Sequence, residues 1–395
     1  MTAHLREGNG TTCEMIKVSL RFCENYEIDN VTECLRKSIA DLGGFVPYIN
    51  PGERVLLKVN LLMKKKPEEA STTHPAFVQA LVVLLQEYGA KVIIADSPGG
   101  PFTKSMLKGI YKATGMEAVA EATGAELNRN TESVEREVPN ALLLRKMTVT
   151  DYLNDVDKVI SVSKLKTHGM MTFTGAVKNL FGIIPGLKKA EYHMNLPKHD
   201  DFADALIDVC LCANPVLSFM DGIIGMEGAG PSAGEPRAVN CILAGTSPYH
   251  LDKVAVSIIN LPQGDVPTIR RSVARGLCVE GISDVELVGG RVEDFLVKDF
   301  DVPKTKEIMS LKMPKWLKRF FSKILQPRPV FDKKTCNGCA DCKKLCPAKI
   351  IEMQDNRPVI DLDACIRCFC CQELCPRKAI TIYRPFLLRR LSKHK

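Results

Sequence analysis

Short apolar runs alternate with amphipathic stretches over the first 260 residues, and this alternation predicts the fold. Residues 54–62 are typical of a buried strand, 75–89 of a helix that ends at Gly89, and 91–96 of the next strand. Further strands are predicted at 158–163, 216–222 and 239–245, and further helices at 103–114, 172–182, 201–213 and 250–260. Strands that alternate with helices predict an α/β fold with a mainly parallel sheet and flanking helices.

The same pattern divides the 395 residues into four parts. These are an α/β domain at 1–300 with its core at about 54–260, a basic amphipathic linker at 301–327, a small α+β module with two cysteine runs at 328–384, and a basic tail at 385–395. Within the first part, residues 262–300 show no clear pattern. We expect them to form a smaller edge or a second lobe.

Charge is concentrated in two short segments. The net charge is +8, of which residues 303–326 contribute +6 and residues 384–395 contribute +5, so the remaining chain is slightly acidic. The first segment indicates either a linker helix packed on the protein or a peripheral contact with acidic lipid or an acidic partner, and the basic tail favours the second. A nucleic-acid partner is not expected, because no known binding module accompanies the charge. The first residues lack a secretory signal pattern, and we expect a cytoplasmic location.

Two copies of the pattern C-x2-C-x2-C-x3-C-P lie 29 residues apart near the end of the chain. In bacterial two-cluster ferredoxins, which use this arrangement, the fourth cysteine of each run binds the other cluster. The pattern therefore predicts two 4Fe–4S clusters. One is expected on Cys336, Cys339, Cys342 and Cys375, and the other on Cys365, Cys368, Cys371 and Cys346.

The two copies form an internal repeat beyond their cysteines. Val330, Leu345 and Lys349 in the first copy match Val359, Leu374 and Lys378 in the second. A gapless repeat of this kind predicts a ferredoxin-like module with a short strand before and after each ligand loop. Disulfides and zinc are the alternatives, but neither uses paired runs that each end in Cys-Pro. Cys370, beside a ligand, is either a small packed residue or a spare ligand.

Polar side chains follow several predicted strands. In open parallel sheets, ligands bind beyond the carboxyl ends of the strands, so these groups predict a cleft there. The candidates for ligand binding are Lys58, Asn60, Asp96, Lys164, Lys178 and Asn179. The candidates for catalysis or proton delivery are Lys166, His168 and His193. Lysine binds anions as a point charge, and histidine moves protons near neutral pH, so an anionic small molecule is the expected ligand.

Two features near the cleft have alternative interpretations. His168, His193 and His199 are alternatively metal ligands, although they lack the i, i+4 spacing of a helical site. The glycine-rich segment 225–237 lacks both the P-loop and the dinucleotide fingerprint. An ordinary mobile loop is the first interpretation of this segment, and a substrate lid is the second.

These motifs together resemble the uncharacterised family known as domain of unknown function 362, in its form fused to a C-terminal ferredoxin module. The resemblance depends on KVN (58–60), THP (73–75), ADSPGG (95–100), SKLKTH (163–168), VKNLFGIIPG (177–186) and DGIIGMEGAGP (221–231). It covers roughly 54–260, with the ferredoxin match at 328–383. It implies an architecture rather than a reaction. A fainter likeness, to the N-terminal half of nickel-dependent lactate racemase, has no residue-by-residue match.

Three functional hypotheses follow from the sequence. In the first, two clusters pass electrons between a redox partner protein and a ligand or cofactor in the α/β cleft, as in an iron–sulfur oxidoreductase. In the second, the protein is a non-enzymatic electron carrier or assembly factor that docks a partner protein. In the third, it is a non-redox enzyme whose clusters are structural or regulatory.

Overall fold

The structure is a computed structural model that describes residues 16–303 and 326–384. Most of the predicted basic linker and all of the predicted basic tail lie outside the described residues. The peripheral membrane contact predicted for those two segments therefore falls outside them as well. The amino-terminal residues 1–15 are likewise not described.

The described residues form strands and α-helices that do not alternate one by one along the chain. The strands are β1 (Ile16–Phe22), β2 (Arg54–Val59), β3 (Lys91–Ala95), β4 (Glu126–Leu127), β5 (Ser133–Glu137), β6 (Lys146–Thr150), β7 (Lys158–His168), β8 (Thr172–Thr174), β9 (Leu217–Glu227), β10 (Glu235–Gly245), β11 (Val285–Val288), β12 (Arg328–Phe331), β13 (Ile351–Gln354), β14 (Arg357–Ile360) and β15 (Ile380–Tyr383). The α-helices are α1 (Ile28–Asp41), α2 (Pro75–Glu87), α3 (Lys104–Ala113), α4 (Met116–Thr123), α5 (Ala176–Asn179), α6 (Lys188–Asn195), α7 (His199–Ala213), α8 (Pro248–Ile258), α9 (Pro267–Ala274), α10 (Asp341–Lys344) and α11 (Cys370–Glu373).

One large mixed sheet organises the α/β domain. Its strand order is β11-β1-β10-β9-β7-β2-β3-β4, with β8 paired to the end of β7. The strands from β9 through β7, β2 and β3 to β4 are all parallel, whereas β10 runs antiparallel to both β9 and β1. The prediction of a mainly parallel sheet with flanking helices is confirmed. Residues 262–300, expected at an edge, add β11 beside β1.

Side chains of the central strands point alternately to the two faces of the sheet, and helices pack on both faces. In β2, Val55, Leu57 and Val59 pack into a core shared with α1, α2 and α4. Leu56, between them, packs into a second core that includes residues of α7. Because side chains alternate along a strand, Lys58 lies on the same face as Leu56, at the carboxyl end of β2. Burial on both faces explains why these strands are continuous apolar runs.

The helix predicted over 172–182 is wrong only at its start. Residues Thr172–Thr174 form β8, a short strand that folds back on the end of β7. The reversal is stabilised locally, because His168 Nδ1 accepts backbone N–H groups from Met170 and Met171, at 3.1 Å each. Helix α5 starts after Gly175 and continues into a 3₁₀ helix at Leu180–Ile183.

The C-terminal module, residues 328–384, repeats its backbone every 29 residues. β12 pairs with β15 and β13 with β14, both antiparallel, which gives the predicted strand before and after each ligand loop. Residues with a left-handed backbone lie at equivalent positions of the two copies. The angle φ is 63° at Ala340 and 61° at Phe369, and it is 53° at both Lys349 and Lys378. We call residues 328–355 the first repeat and residues 357–384 the second repeat.

Among residues 16–303 and 326–384, no helix has both the length and the apolar character needed to cross a bilayer.

Candidate functional site

The C-terminal module contains two small cavities, each lined by four cysteines. The first cavity is lined by Cys336, Cys339, Cys342 and Cys375. The second cavity is lined by Cys346, Cys365, Cys368 and Cys371. None of these eight cysteines is paired in a disulfide. The structure therefore groups them in the same two crossed sets that their spacing predicts.

The donor set of each cavity fits an iron–sulfur cluster. Among the described residues, no group of three or more His, Cys, Asp or Glu side chains is arranged to hold a single metal ion. The cysteines instead line the walls of cavities whose other surfaces are largely apolar, including Ile351 and Ile360 in the second. Four thiolates around a void are what a 4Fe–4S cluster requires. The alternative of a metal ion on His168, His193 and His199 finds no support in this geometry.

The two cavities differ in their exposure. In the first repeat Cys339 is exposed, and helix α10 has no buried residue. In the second repeat, helix α11 buries Cys370, Cys371 and Gln372. The first cavity therefore lies near solvent, and the second faces the interior of the molecule. Cys370 is not among the residues that line either cavity, so it is placed as a packed residue.

The second repeat docks on the glycine-rich segment 225–237. Ser232 Oγ donates to the backbone carbonyl of Glu373 at 2.6 Å, and Gln372 Nε2 donates to the carbonyl of Ala229 at 2.9 Å. The segment is thus neither a free loop nor a lid over an open site. It is a docking surface, a role that the sequence does not indicate.

Apolar and backbone contacts extend this docking. Phe369 belongs to the same buried core as Met170 and Met171 of the turn between β7 and β8. Arg384 Nη2 donates to the carbonyl of Gly169 at 3.2 Å. The second repeat therefore covers the end of β7, where the sequence predicts a cleft.

A buried polar network fills the carboxyl edge of the sheet. Lys58 Nζ lies 2.8 Å from Asp96 Oδ1 and 3.2 Å from Asn179 Oδ1. Asn179 Nδ2 donates to the carbonyl of Lys58 at 2.8 Å, and Asn60 Nδ2 donates to Asn179 Oδ1 at 3.2 Å. Burial lowers the pKa of Lys58, while the Asp96 carboxylate acts in the opposite direction. Four predicted ligand-binding residues therefore bind mainly one another.

Lys166 lies beside this network without a carboxylate partner of its own. Its Nζ donates to Asn60 Oδ1 at 2.8 Å and to the carbonyl of Ser71. Both acceptors are neutral, so burial lowers the pKa of Lys166 to about 7, with Glu373 acting in the opposite direction. A lysine of this kind exchanges its proton near neutral pH.

Lys164 forms a separate, closed ion pair. Its Nζ lies 2.8 Å from both Asp221 Oδ2 and the hydroxyl of Tyr26. Tyr26 donates to Asp221 Oδ1 at 2.7 Å, and the His74 ring stacks on Tyr26 with centroids 3.6 Å apart. Because Asp221 balances its charge, Lys164 is better explained as a structural residue than as a ligand-binding one.

His168 directs one ring nitrogen at the C-terminal module. Its Nδ1 accepts two backbone N–H groups, so the neutral ring must carry its proton on Nε2. Nε2 lies 3.5 Å from Glu373 Oε2. Burial lowers the pKa of His168 to about 4, which keeps the ring neutral at pH 7. His168 therefore offers a single N–H donor to whatever occupies the position of Glu373.

Three further basic side chains surround the same position. His193 stacks on Phe202, with centroids 4.4 Å apart, and burial lowers its pKa to about 3. Lys189 Nζ donates to the carbonyls of Ser97 and Ile184 at 2.6 Å each, and burial lowers its pKa to about 7. Lys178 is half-buried, and burial lowers its pKa too.

One carboxylate acts on all of these groups. Glu373 raises the pKa of each of five basic side chains, which we call the cation pocket: Lys166, His168, Lys178, Lys189 and His193. In return, His168 and Lys178 hold the pKa of Glu373 well below its usual range, against the effect of burial. The structure thus brings together Lys166, His168 and His193 from the predicted catalytic set, with Lys178 from the predicted ligand-binding set.

Two family models match separate parts of the chain. Residues 55–257 match the family model described as "Domain of unknown function (DUF362)", which is just over half of the 395 residues. The chain belongs to the DUF362 family. Residues 328–376 match the model of a 4Fe-4S dicluster domain, so this DUF362 protein carries an iron–sulfur domain C-terminal to its family domain.

Individual proteins are similar to this DUF362 protein over part of their length. A thylakoid-associated protein of Synechocystis sp. is 34% identical over 268 residues, which are 67% of this chain and 81% of the relative. The lactate racemase apoprotein of Thermoanaerobacterium thermosaccharolyticum has a TM-score of 0.38 at 16% identity, covering 63% of this chain and 59% of its own. A structural-genomics protein from Thermotoga maritima has a TM-score of 0.31 at 13% identity, covering 53% of each chain.

Sequence reasoning missed two parts of the site in this DUF362 protein. Glu373 was overlooked, although the repeat itself contains a signal: the equivalent position in the first repeat is Lys344, with the opposite charge. Tyr26 and Asp221 were not recognised as the partners of Lys164, because they are 195 residues apart in the chain. No local pattern could have joined them.

Proposed function

We propose that this DUF362 protein is an electron-transfer protein in which two 4Fe–4S clusters exchange electrons with a ligand or cofactor held in the cation pocket. The observation that carries the proposal is the position of Glu373. It lies between the cluster ligands Cys371 and Cys375 in the chain, and its carboxylate reaches the His168 ring. A single helical turn thus joins the second cavity to the pocket.

The order of the sites supports a path from the surface to the interior. The first cavity is bordered by the exposed Cys339, whereas the second is lined by Phe369 and the buried Cys371, at the start of the helix that carries Glu373. The crossed ligands Cys346 and Cys375 tie the two cavities together. Electrons would enter or leave at the first cavity and meet the ligand at the second.

The pocket residues have distinct tasks in this proposal. When bound, the clusters would supply single electrons at low potential. Lys178 binds and orients a negatively charged group, and His168 donates a hydrogen bond from Nε2. Lys166, with its pKa near 7, holds the proton at Nζ that a reduced ligand would need. Phe369, Met170 and Met171 belong to one buried apolar core, which would keep water from this side of the pocket.

A redox partner protein at the first repeat belongs to the proposal. The exposure of Cys339 and of helix α10 favours such docking. We also propose a cytoplasmic location with peripheral membrane contact through the basic segments at 303–326 and 384–395. The name of the Synechocystis relative, a thylakoid-associated protein, agrees with contact of this kind.

The test is cluster reoxidation by small molecules. Protein purified anaerobically and checked for iron is reduced with dithionite and then mixed with individual metabolites, while the cluster absorbance is followed. At least one compound should reoxidise the wild type, and the rate should fall by about 100-fold in His168→Ala, which removes the Nε2 donor. The control is Lys108→Ala on the exposed surface of α3, whose rate should equal that of the wild type.

Other outcomes favour the alternative functions. If no compound reoxidises the clusters but a single protein is captured through the first repeat, the protein is an electron carrier or assembly factor. If turnover of a ligand continues with the clusters locked in one oxidation state, it is a non-redox enzyme. Equal rates in the wild type and in His168→Ala would contradict the role given to the cation pocket.

A further inference from the structure

The cation pocket has unused hydrogen-bonding capacity. Lys178 Nζ forms no hydrogen bond or ion pair with any residue that the structure describes, and lies 5.9 Å from the Phe181 ring centroid. His193 Nδ1 and His168 Nε2 are both buried without a hydrogen-bond partner at normal distance. Buried polar groups are almost always bonded, so two unbonded histidine nitrogens beside a half-buried lysine indicate a missing ligand.

Glu373 fills this position poorly. Its side chain is only 16% exposed, yet its one close contact in the pocket is His168 Nε2 at 3.5 Å. That separation exceeds the usual 2.7–3.2 Å or so of an N–H···O hydrogen bond. A carboxylate normally accepts several bonds when it is buried. Glu373 therefore supplies negative charge to the pocket but leaves much of its hydrogen-bonding capacity unused.

The side chains of the cation pocket are mainly cationic. Three of them are lysines, Lys166, Lys178 and Lys189, and Glu373 is a carboxylate that acts on each. Burial lowers the pKa of all three, so a ligand with more than one negative charge would favour their charged forms. Lys164 and Lys58 are paired with Asp221 and Asp96, outside this group.

We propose that the cation pocket binds a small oxyanion with two negative charges, and that Glu373 occupies part of the site until this ligand displaces it. Phosphate groups and dicarboxylates share the required chemistry. The inference rests on the proposed function only in assuming that the pocket receives a ligand. It adds the chemical class of that ligand and a reason why the pocket is covered: the second repeat supplies a substitute carboxylate.

The test is calorimetric titration of the full-length, cluster-loaded protein under anaerobic conditions. The probes are inorganic phosphate, which represents phosphate groups, and malonate, which represents dicarboxylates. Acetate serves as the monoanion. Glu373→Gln removes the competing charge but keeps the shape of the side chain, so it should tighten binding of the dianion by about tenfold. Lys178→Gln should weaken it by at least about tenfold. Acetate should bind more weakly than either dianion.

The repeat supplies a matched control. Lys344 stands at the position of Glu373 in the first repeat and is exposed on helix α10, so Lys344→Gln should leave dianion affinity unchanged. Iron content and thermal unfolding of each variant show whether it is folded and loaded. Absence of binding by both dianions in folded Glu373→Gln would overturn the proposal. So would Glu373→Gln binding that is equal to or weaker than that of the wild type.

Failure here is distinguishable from failure of the proposed function. Binding is measured without electron transfer, so dianion affinity that follows Glu373 and Lys178 upholds this inference even when no metabolite reoxidises the clusters. Conversely, reoxidation by a neutral compound that depends on His168 would uphold the electron path and overturn the ligand class.

Discussion

The two repeats of the C-terminal module share one backbone but have opposite surroundings. Equivalent residues such as Ala340 and Phe369 have left-handed φ values within 2° of each other. Yet helix α10 in the first repeat is wholly unburied, whereas α11 in the second repeat is largely enclosed by the α/β domain. The cysteine spacing and the turns therefore determine the fold of a repeat. They do not determine whether its cavity faces solvent or the α/β domain.

The difference lies in the residues between the cysteines. Where the first repeat has Asp341, Lys343 and Lys344, the second has Cys370, Gln372 and Glu373. The first set is exposed and forms surface ion pairs. The second set packs on the α/β domain, and it includes Glu373, which acts on all five side chains of the cation pocket. Three side chains thus convert one copy of a common motif into a docking helix, and each can be tested against its equivalent.

The largest expected effect comes from the equivalent ligands Cys339 and Cys368. Replacing either by serine removes one thiolate, so iron should fall from about eight atoms to about four in both variants. Only the Cys368→Ser variant loses the cluster next to the cation pocket. We expect the paramagnetic resonance signal of the remaining cluster to respond to phosphate in Cys339→Ser but not in Cys368→Ser. Equal responses would show that the two cavities do not differ in their access to the pocket.

The second comparison exchanges charges at the equivalent positions 344 and 373. Glu373→Lys places a further ammonium group among Lys166, Lys178 and Lys189 and should cost about 3 kcal/mol of unfolding free energy, as loss of a buried charge partner does. Lys344→Glu changes only an exposed pair with Asp341, at 3.7 Å, and should cost less than about 0.5 kcal/mol.

Denaturant unfolding of both charge variants measures these costs. Hydrogen exchange at residues 168–171 reports docking, because Phe369 and Arg384 contact this turn. Exchange there should accelerate in Glu373→Lys alone. Similar costs in the two variants would mean that Glu373 does not secure the second repeat.

The fold could largely be predicted from the sequence, because periodicity is a local property. The apolar runs at 54–62 and 91–96 with the helix between them predict a parallel unit, and β2, α2 and β3 confirm it. The failure at 172–174, the start of the helix predicted over 172–182, has a physical cause. The residues that follow do form helical turns, but His168 stabilises a reversal before them that only the three-dimensional structure reveals. Residues 16–41 were not assigned, although they form β1 and α1.

The site could be predicted only in part. Strand ends in a parallel sheet meet at one edge, so the sequence alone brings Lys58, Asn60 and Lys166 together, and the cysteine spacing pairs the ligands across the repeats. Which repeat faces the edge depends on contacts between distant segments, such as Ser232 with Glu373. Those contacts have no periodic signature, so the sequence marks Glu373 only by its charge, which is opposite to that of the equivalent Lys344.

The smallest expected effect concerns the equivalent residues Gln372 and Lys343. Gln372 is buried and donates to the carbonyl of Ala229 at 2.9 Å, so Gln372→Ala leaves that carbonyl unpaired and should cost about 1–2 kcal/mol of unfolding free energy. Lys343 lies in an exposed pair with Glu352, so Lys343→Ala should cost less than about 0.5 kcal/mol. Thermal unfolding of both variants, with iron content held equal, measures the difference. If Lys343→Ala proves as costly as Gln372→Ala, burial does not distinguish the repeats, and the asymmetry must come from the cysteine loops themselves.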